Sequence, residues 1–306
     1  MPATLPDEHA VEQRIVEASM TCPPDGAITG WAALRWLGGN YFSGTYAGCE
    51  LPVTIAVGRH GFRARPGVVA SWENVLPPEI VEVDGVRVTV PEYSVTFEAR
   101  HARNAEAAVQ ALDMAMMCDL TSLDELVDFR IRRLWATTGI AQLDAALVLA
   151  TENCWAPLEA TMRLLWEVEL QQRRPLCNWP VFDRDGRHLG TPDLIDPVAG
   201  VIGEYDGEHH REPDQAAHDA EREAEFRGAG LECVTMTSSD LPPTSQYLDR
   251  VEAAYYRAGR QASRPRGWTT TLPAYWVPTH TVALRRALTP DQRDRFLGWQ
   301  RLHHPS

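Results

Sequence analysis

From Thr191 to Arg211 the chain reads T-P-D-L-I-D-P-V-A-G-V-I-G-E-Y-D-G-E-H-H-R, and this stretch constrains the fold more than any other. Two short apolar runs, Leu194-Ile195 and Val198 to Ile202, are separated by Pro197 and followed by Gly203. Short apolar runs bounded by turn residues predict a β-hairpin. Acids stand at the ends of these runs, Asp193 before and Glu204 and Asp206 after. Carboxylates beside buried strands are costly unless something binds them, and a divalent cation is the usual partner.

The segments around this hairpin alternate in type. Ala156-Pro157 predicts a helix with proline at its first position, lined by Leu158, Met162 and Leu165, with Glu159 in its first turn, where the helix dipole favours an acid. Asp214 to Gly228 reads as a charged helix, Leu231 to Thr237 as a strand and Tyr247 to Arg260 as an amphipathic helix. That order is mixed α/β. Upstream, V-E-V-D-G-V-R-V-T-V (81–90) is a strand, a D-G turn and a strand. Val95 to Met117 reads as one alanine-rich helix, Thr121 or Ser122 as the start of another, and Thr29 as the cap of a short helix carrying Trp31, Leu34 and Leu37. The expected fold class is therefore α/β (α+β). An N-terminal mixed α/β domain over 1–150 precedes a second domain over 151–262 with a central mixed β-sheet flanked by helices. An Arg- and Trp-bearing extension covers 263–306; mixed basic and aromatic residues there suit either a nucleic-acid backbone or packing onto the chain's own domain.

Charge narrows the function. The 306 residues carry a net charge of -13, against non-specific coating of nucleic acid, which depends on many phosphate neutralisations. Every one of the 29 Lys+Arg residues is arginine, so no mechanism needing a lysine amine is open to this chain. The six cysteines never form C-x-x-C and are expected to be reduced thiols. No apolar run approaches the roughly 18 residues of a membrane helix. The first ten residues lack the basic and apolar regions of a secretory signal. A cytoplasmic protein with no membrane partner is expected.

Five segments carry a family resemblance: P-L-E-A-T-M-R-L-L (157–165), T-P-D-L-I-D (191–196), G-E-Y-D-G-E-H-H (203–210), H-D-A-E-R (218–222) and G-L-E-C-V-T-M-T-S-S-D-L (230–241). With these the region from Pro157 to Leu241 resembles the very-short-patch-repair-like nuclease domains of the restriction-endonuclease superfamily, PD-(D/E)xK. It looks like the actinobacterial branch in which such a domain follows a region similar to AbiEi-type antitoxins, loosely matched here by residues 26–126. Where those relatives carry an Arg-Thr pair, this chain has Pro91-Glu92-Tyr93-Ser94. The resemblance implies that Asp193 is the Asp of the P-D motif, that Glu204 is the acid on the next strand, and that Glu159 is the helix glutamate completing a metal site. The usual lysine two residues after Glu204 is replaced by Asp206.

The chemistry implied is hydrolysis of phosphodiester bonds in DNA. Carboxylates alone repel that substrate, whereas bound Mg²⁺ or Mn²⁺ reverses the local sign and lowers the pKa of a bound water. Asp193 and Glu204 are expected to hold the ion, with Glu159 or Asp206 supplying further oxygens, the hard ligands that suit these metals. His209 or His210 is the candidate general acid or base, since imidazole titrates near neutrality. Arg211 or Arg222 is the candidate fork on the scissile phosphate. The competing expectation is a non-catalytic DNA-binding or antitoxin-like regulator that keeps the nuclease fold as scaffold, because function lives in the site and not in the fold.

Overall fold

The computed structural model describes residues 10–58, 61–63, 65–206, 213–242, 245–261, 263 and 265–298, with the helical backbone alone for 213–220. The chain divides into two units, Met1–Glu152 with Thr281–Ser306, and Asn153–His280.

The first unit runs α1 (Ala10–Ser19), β1 (Ala27–Thr29), α2 (Trp31–Trp36), β2 (Thr45–Tyr46), β3 (Cys49–Glu50), β4 (Val53–Ala56), β5 (Val68–Ser71), β6 (Ile80–Val83), β7 (Val86–Thr89), α3 (Pro91–His101), α4 (Ala105–Met117), α5 (Leu123–Arg133) and α6 (Ile140–Leu149). Its sheet has the order β5-β4-β1-β7-β6. The D-G hairpin forms as expected: Asp84 and Gly85 both take positive φ, 50° and 78°, and Glu82 faces Arg87 across the ladder. Ser122 caps α5 in a reciprocal box with Glu125.

Two expectations fail here. Thr29 does not cap a helix; it ends β1, and the N-terminal N–H of α2, on Trp31, donates to the Glu98 carboxylate at 2.8 Å, 67 residues away. Residues 95–117 are not one helix: Ala102 turns to extended geometry after α3, and Asn104 opens α4 by accepting from the Ala107 N–H at 2.8 Å.

The second unit runs α7 (Pro157–Leu164), β8 (Leu176–Cys177), β9 (Val181–Asp183), β10 (His188–Gly190), β11 (Leu194–Asp196), β12 (Val201–Asp206), α8 (Pro213–Gly228), β13 (Glu232–Thr237), α9 (Ser245–Gln261) and β14 (Trp268–Thr269). Its central sheet is mixed, in the order β13-β12-β11-β8, with β12 parallel to β13 and antiparallel to β11. Alternation along the strands divides the core. Leu194, Val201, Val234 and Met236 pack with Met162, Leu165 and Trp166 from the α7 segment and Tyr247, Val251 and Ala254 from α9. Ile195 and Ile202 turn the other way, toward Phe226 of α8, Val181, Leu189 and Trp268. The fold class is α/β around a mixed sheet. Among the described residues, no helix is long and apolar enough to cross a membrane.

The stretch from 263 to 306, expected as one extension, is divided between the units. Trp268 and Thr269 add β14 to β9 of the second unit. From Thr281 onward, α10 (Val282–Arg286) and α11 (Pro290–Phe296) belong to the first. Arg285, Arg286 and Arg293 there each donate to the unit's own backbone. Arg285 is wholly buried, donating to Asp119 Oδ1 at 2.7 Å, the Met116 carbonyl at 2.8 Å and the Glu152 carbonyl at 3.0 Å. A cation at the end of α4 satisfies carbonyls the helix leaves open. Arg285→Ala strips a buried charge pair of one partner and is expected to cost about 3 kcal/mol in chemical denaturation. A loss within error of zero would mean that Arg293, 2.9 Å from Asp119, compensates fully.

Candidate active site

The site begins with a glycine. A Cβ on Gly203 would stand 2.9 Å from Trp166 Cζ2 and 3.3 Å from Met162 Sδ, so only a bare backbone lets this end of α7 lie against β12. Trp166 is fixed there by its indole N–H, which donates to the Tyr247 hydroxyl at 2.8 Å. Gly203→Val is therefore expected to force α7 outward and cost about 1–3 kcal/mol or more as overpacking, measured by thermal or urea unfolding of the full chain.

Close packing of α7 brings Glu159 into the site. Glu159 sits in the first turn after Pro157 and is buried. Its Oε2 accepts from the Trp155 backbone N–H at 2.8 Å and from Asn178 Nδ2 at 2.7 Å. Asn178 holds a left-handed φ of 46° just past β8, a conformation asparagine tolerates better than most residues. Its own N–H donates to the Asp193 carbonyl at 2.9 Å, and its Nδ2 also donates to the Asn153 carbonyl at 2.9 Å. One asparagine thus ties the helix glutamate to the strand that carries Asp193.

Asp193 immediately precedes β11. Register pairs Leu194 with Gly203, and one further residue along sets Asp193 opposite Glu204. The Asp193 Oδ2 accepts from the Tyr205 N–H at 2.6 Å. Glu204 and Asp206 alternate along β12 and so share a face of the strand. Glu204 Oε2 accepts from Arg222 Nη2 of α8 at 3.2 Å. Among the described residues Arg222 sets a cation beside Asp193 and Glu204. His209 and Arg211, like His210, lie outside the described residues.

The electrostatics follow from this placement. Burial pushes the Glu159 carboxyl up to about 8, and the neighbouring Asp193 charge pushes the same way, against the bonds from Asn178, Trp155 and Ala156. Burial also pushes Asp193 up, to about 6, opposed by the Tyr205 N–H and the Arg222 charge. Near neutral pH the pair holds about one proton between two carboxyls, as interacting acids do. Among the described residues, no group of three or more His, Cys, Asp or Glu side chains is placed to hold a metal ion. What fits a divalent cation is the Glu159–Asp193 pair itself: two oxygen donors, both destabilised as anions by burial, for which a cation is the natural counter-charge.

The structure brings Glu159 and Asp193 together and sets Arg222 beside Asp193 and Glu204, but among the described residues the four expected carboxylates do not form one metal-holding group. Nothing in the local sequence singles out Asn178 or Asn153. The signal for Asn178, a small polar residue directly after a two-residue strand, is too common to stand out. No protein-family model matches the chain, and no curated protein or solved structure is significantly similar to it.

Proposed function

We propose that this chain is a Mg²⁺- or Mn²⁺-dependent hydrolase of phosphodiester bonds, with DNA as substrate. The observation that carries the reading is the pairing of Glu159 and Asp193. Two acids 34 positions apart are brought together, buried and raised, at the end of a hairpin whose second strand adds Glu204 and Asp206. A fold gains no stability from this arrangement; a cation-binding site requires something like it. When bound, the ion supplies a water of lowered pKa and offsets the charge of the phosphate. The chain's own residues do the rest. Glu159 and Asp193 offer oxygens, Asn178 fixes their relative position, and Arg222 keeps a positive charge beside Glu204. His209 retains its expected part as proton donor or acceptor, and Arg211 as a phosphate ligand.

One observation favours the second reading, a DNA-binding regulator on a nuclease-like scaffold: Glu204 is already engaged by Arg222, as in a site that has settled into an internal ion pair. The test is cleavage of supercoiled plasmid and of single-stranded DNA by the full chain in Mg²⁺, Mn²⁺ or EDTA, beside Glu159→Gln. Cleavage that needs the cation and falls at least about a hundredfold in Glu159→Gln supports the hydrolase. Equal cleavage by both proteins identifies a contaminant. Binding of DNA without cleavage under any condition establishes the regulator.

A further inference from the structure

In the first unit, α5 leaves its outer face uncovered. Leu126 and Phe129 turn into the core, as one side of an amphipathic helix does. On the other side Val127 and Ile131 are 39% and 60% exposed, and Trp135, just past the helix end, is 75% exposed. Val127 and Ile131 stand four apart and so lie on one ridge of the helix, which runs toward Trp135. Arg130 ties α5 to α6 through Asp144 at 2.6 Å, and one turn on from Asp144 the α6 residue Val148 is 73% exposed. Single exposed apolar side chains are ordinary on a protein surface; a tryptophan and three aliphatic side chains on two adjoining helices mark a contact surface.

The charges along α5 say what covers it. The helix reads L-D-E-L-V-D-F-R-I-R-R, with Asp124, Glu125 and Asp128 in its first half and Arg130, Arg132 and Arg133 in its second. Glu125, Arg130 and Arg133 are committed inside the unit, to Arg286, Asp144 and Glu79. Asp128 and Arg132 remain on the outer side, each more than half exposed, and meet each other across one turn. An exposed ion pair of this kind contributes little and is readily exchanged for another. A second α5 laid antiparallel, with a two-fold axis beside Ile131, sets Val127 against the partner's Trp135 and Asp128 against the partner's Arg132. A parallel helix would set acid against acid. Two-fold contacts require a patch complementary to itself, and the charge order of α5 supplies one.

Other occupants fit less well. Membrane surfaces and nucleic acids are anionic, and they are repelled by a chain of net charge -13 with Asp124 and Asp128 on the same face as the patch. Between two copies that net charge is screened beyond about 8 Å at physiological salt, whereas the pairs at the seam stand closer. One tryptophan buries about 150–250 Å² when covered, a sizeable share of the roughly 800 Å² that each partner gives to a stable interface.

We propose that the chain forms a two-fold dimer through this face, with the α5 helices of the two copies antiparallel. The test is sedimentation velocity of the full chain at about 0.15 M salt. A particle of twice the chain mass is expected, with a dissociation constant of about 10 µM or tighter. Ile131→Glu, at a position already open to water, should keep the circular dichroism of the wild type and sediment as a monomer at the same concentrations. Asp128→Arg and Arg132→Asp, each alone, should weaken self-association at least about tenfold by setting like charges together. Mixed with each other, these two variants should form a heterodimer as tight as the wild-type dimer to within about threefold, because each then offers the charge the other lacks. The proposal is overturned if the wild type is a monomer at about 100 µM. It is overturned too if Ile131→Glu dimerises as the wild type does, which would place the contact on another surface, or if mixing the charge variants restores nothing, which would rule out the antiparallel pairing. None of these outcomes depends on cleavage activity.

Discussion

Asp193→Asn is expected to abolish cation-dependent DNA cleavage, by at least about a hundredfold, while making the cation-free protein more stable at pH 8. The two halves have one cause. At that pH the wild type holds a carboxylate at Asp193 beside Glu159, in a place where burial has raised both. Asparagine keeps an oxygen to accept from the Tyr205 N–H, so the local backbone loses nothing, but the charge is gone. Removing one of two like, poorly solvated charges relieves repulsion and should add about 1–2 kcal/mol. A cation ligand removed in the same stroke takes the chemistry with it. Urea denaturation in EDTA and plasmid cleavage in Mn²⁺ read the two effects separately. Should the variant be less stable at pH 8, Asp193 would be a structural acid serving Tyr205, and the hydrolase reading would lose its main support.

The same pair shows what was legible in the sequence. The hairpin was, because Leu194-Ile195 and Val201-Ile202 alternate between two cores that both need apolar residues, and Asp196-Pro197 and Gly200 mark its turn. The α5 start was, because a capping box is written within four residues. Relations that close over long distance were not. Spacing alone leaves Glu159 a helix-dipole acid; only the fit of Gly203 beneath Trp166 sets it next to Asp193. The cap on α2 comes from Glu98, which no local pattern announces. The arginines of the last segment suited either a nucleic-acid backbone or packing onto the chain itself, and Arg285 falls to packing, spent on Asp119 and on the Met116 carbonyl at the end of α4. Charge composition counts cations but does not say what they face. Short strands such as β8 and β14, two residues each, fall below any period that a sequence can display, and β8 delivers Asn178 to the site.

Protonation of the Glu159–Asp193 pair should also be visible as stability without any substrate. Both carboxyls have folded-state pKa values above their ordinary ones, so the folded chain holds these protons more tightly than the unfolded chain. Below about pH 3 both states are protonated and the contribution is fully present. As pH rises, the unfolded carboxyls ionise first and the folded ones last, so stability falls until about pH 8 and then levels off. Cation-free protein is expected to lose several kcal/mol of stability across this window, the two raised carboxyls acting in the same direction. His188, lowered by burial, acts in the opposite direction near its own titration. Asp240, held low by the Thr237 N–H and Arg250, contributes stability lost only in acid below the ordinary carboxylate range. Both cancel in the difference between wild type and Glu159→Gln, which isolates the pair. The difference curve in EDTA should favour the variant increasingly from pH 5 to pH 8. Added Mn²⁺ should then reverse it at pH 8, because an ion that binds only the folded, ionised pair stabilises by mass action. A flat difference curve would mean that the two carboxyls do not interact in the folded chain. A sloping curve on which Mn²⁺ has no effect would leave a buried acid pair that binds no cation, and the regulator would be the better reading.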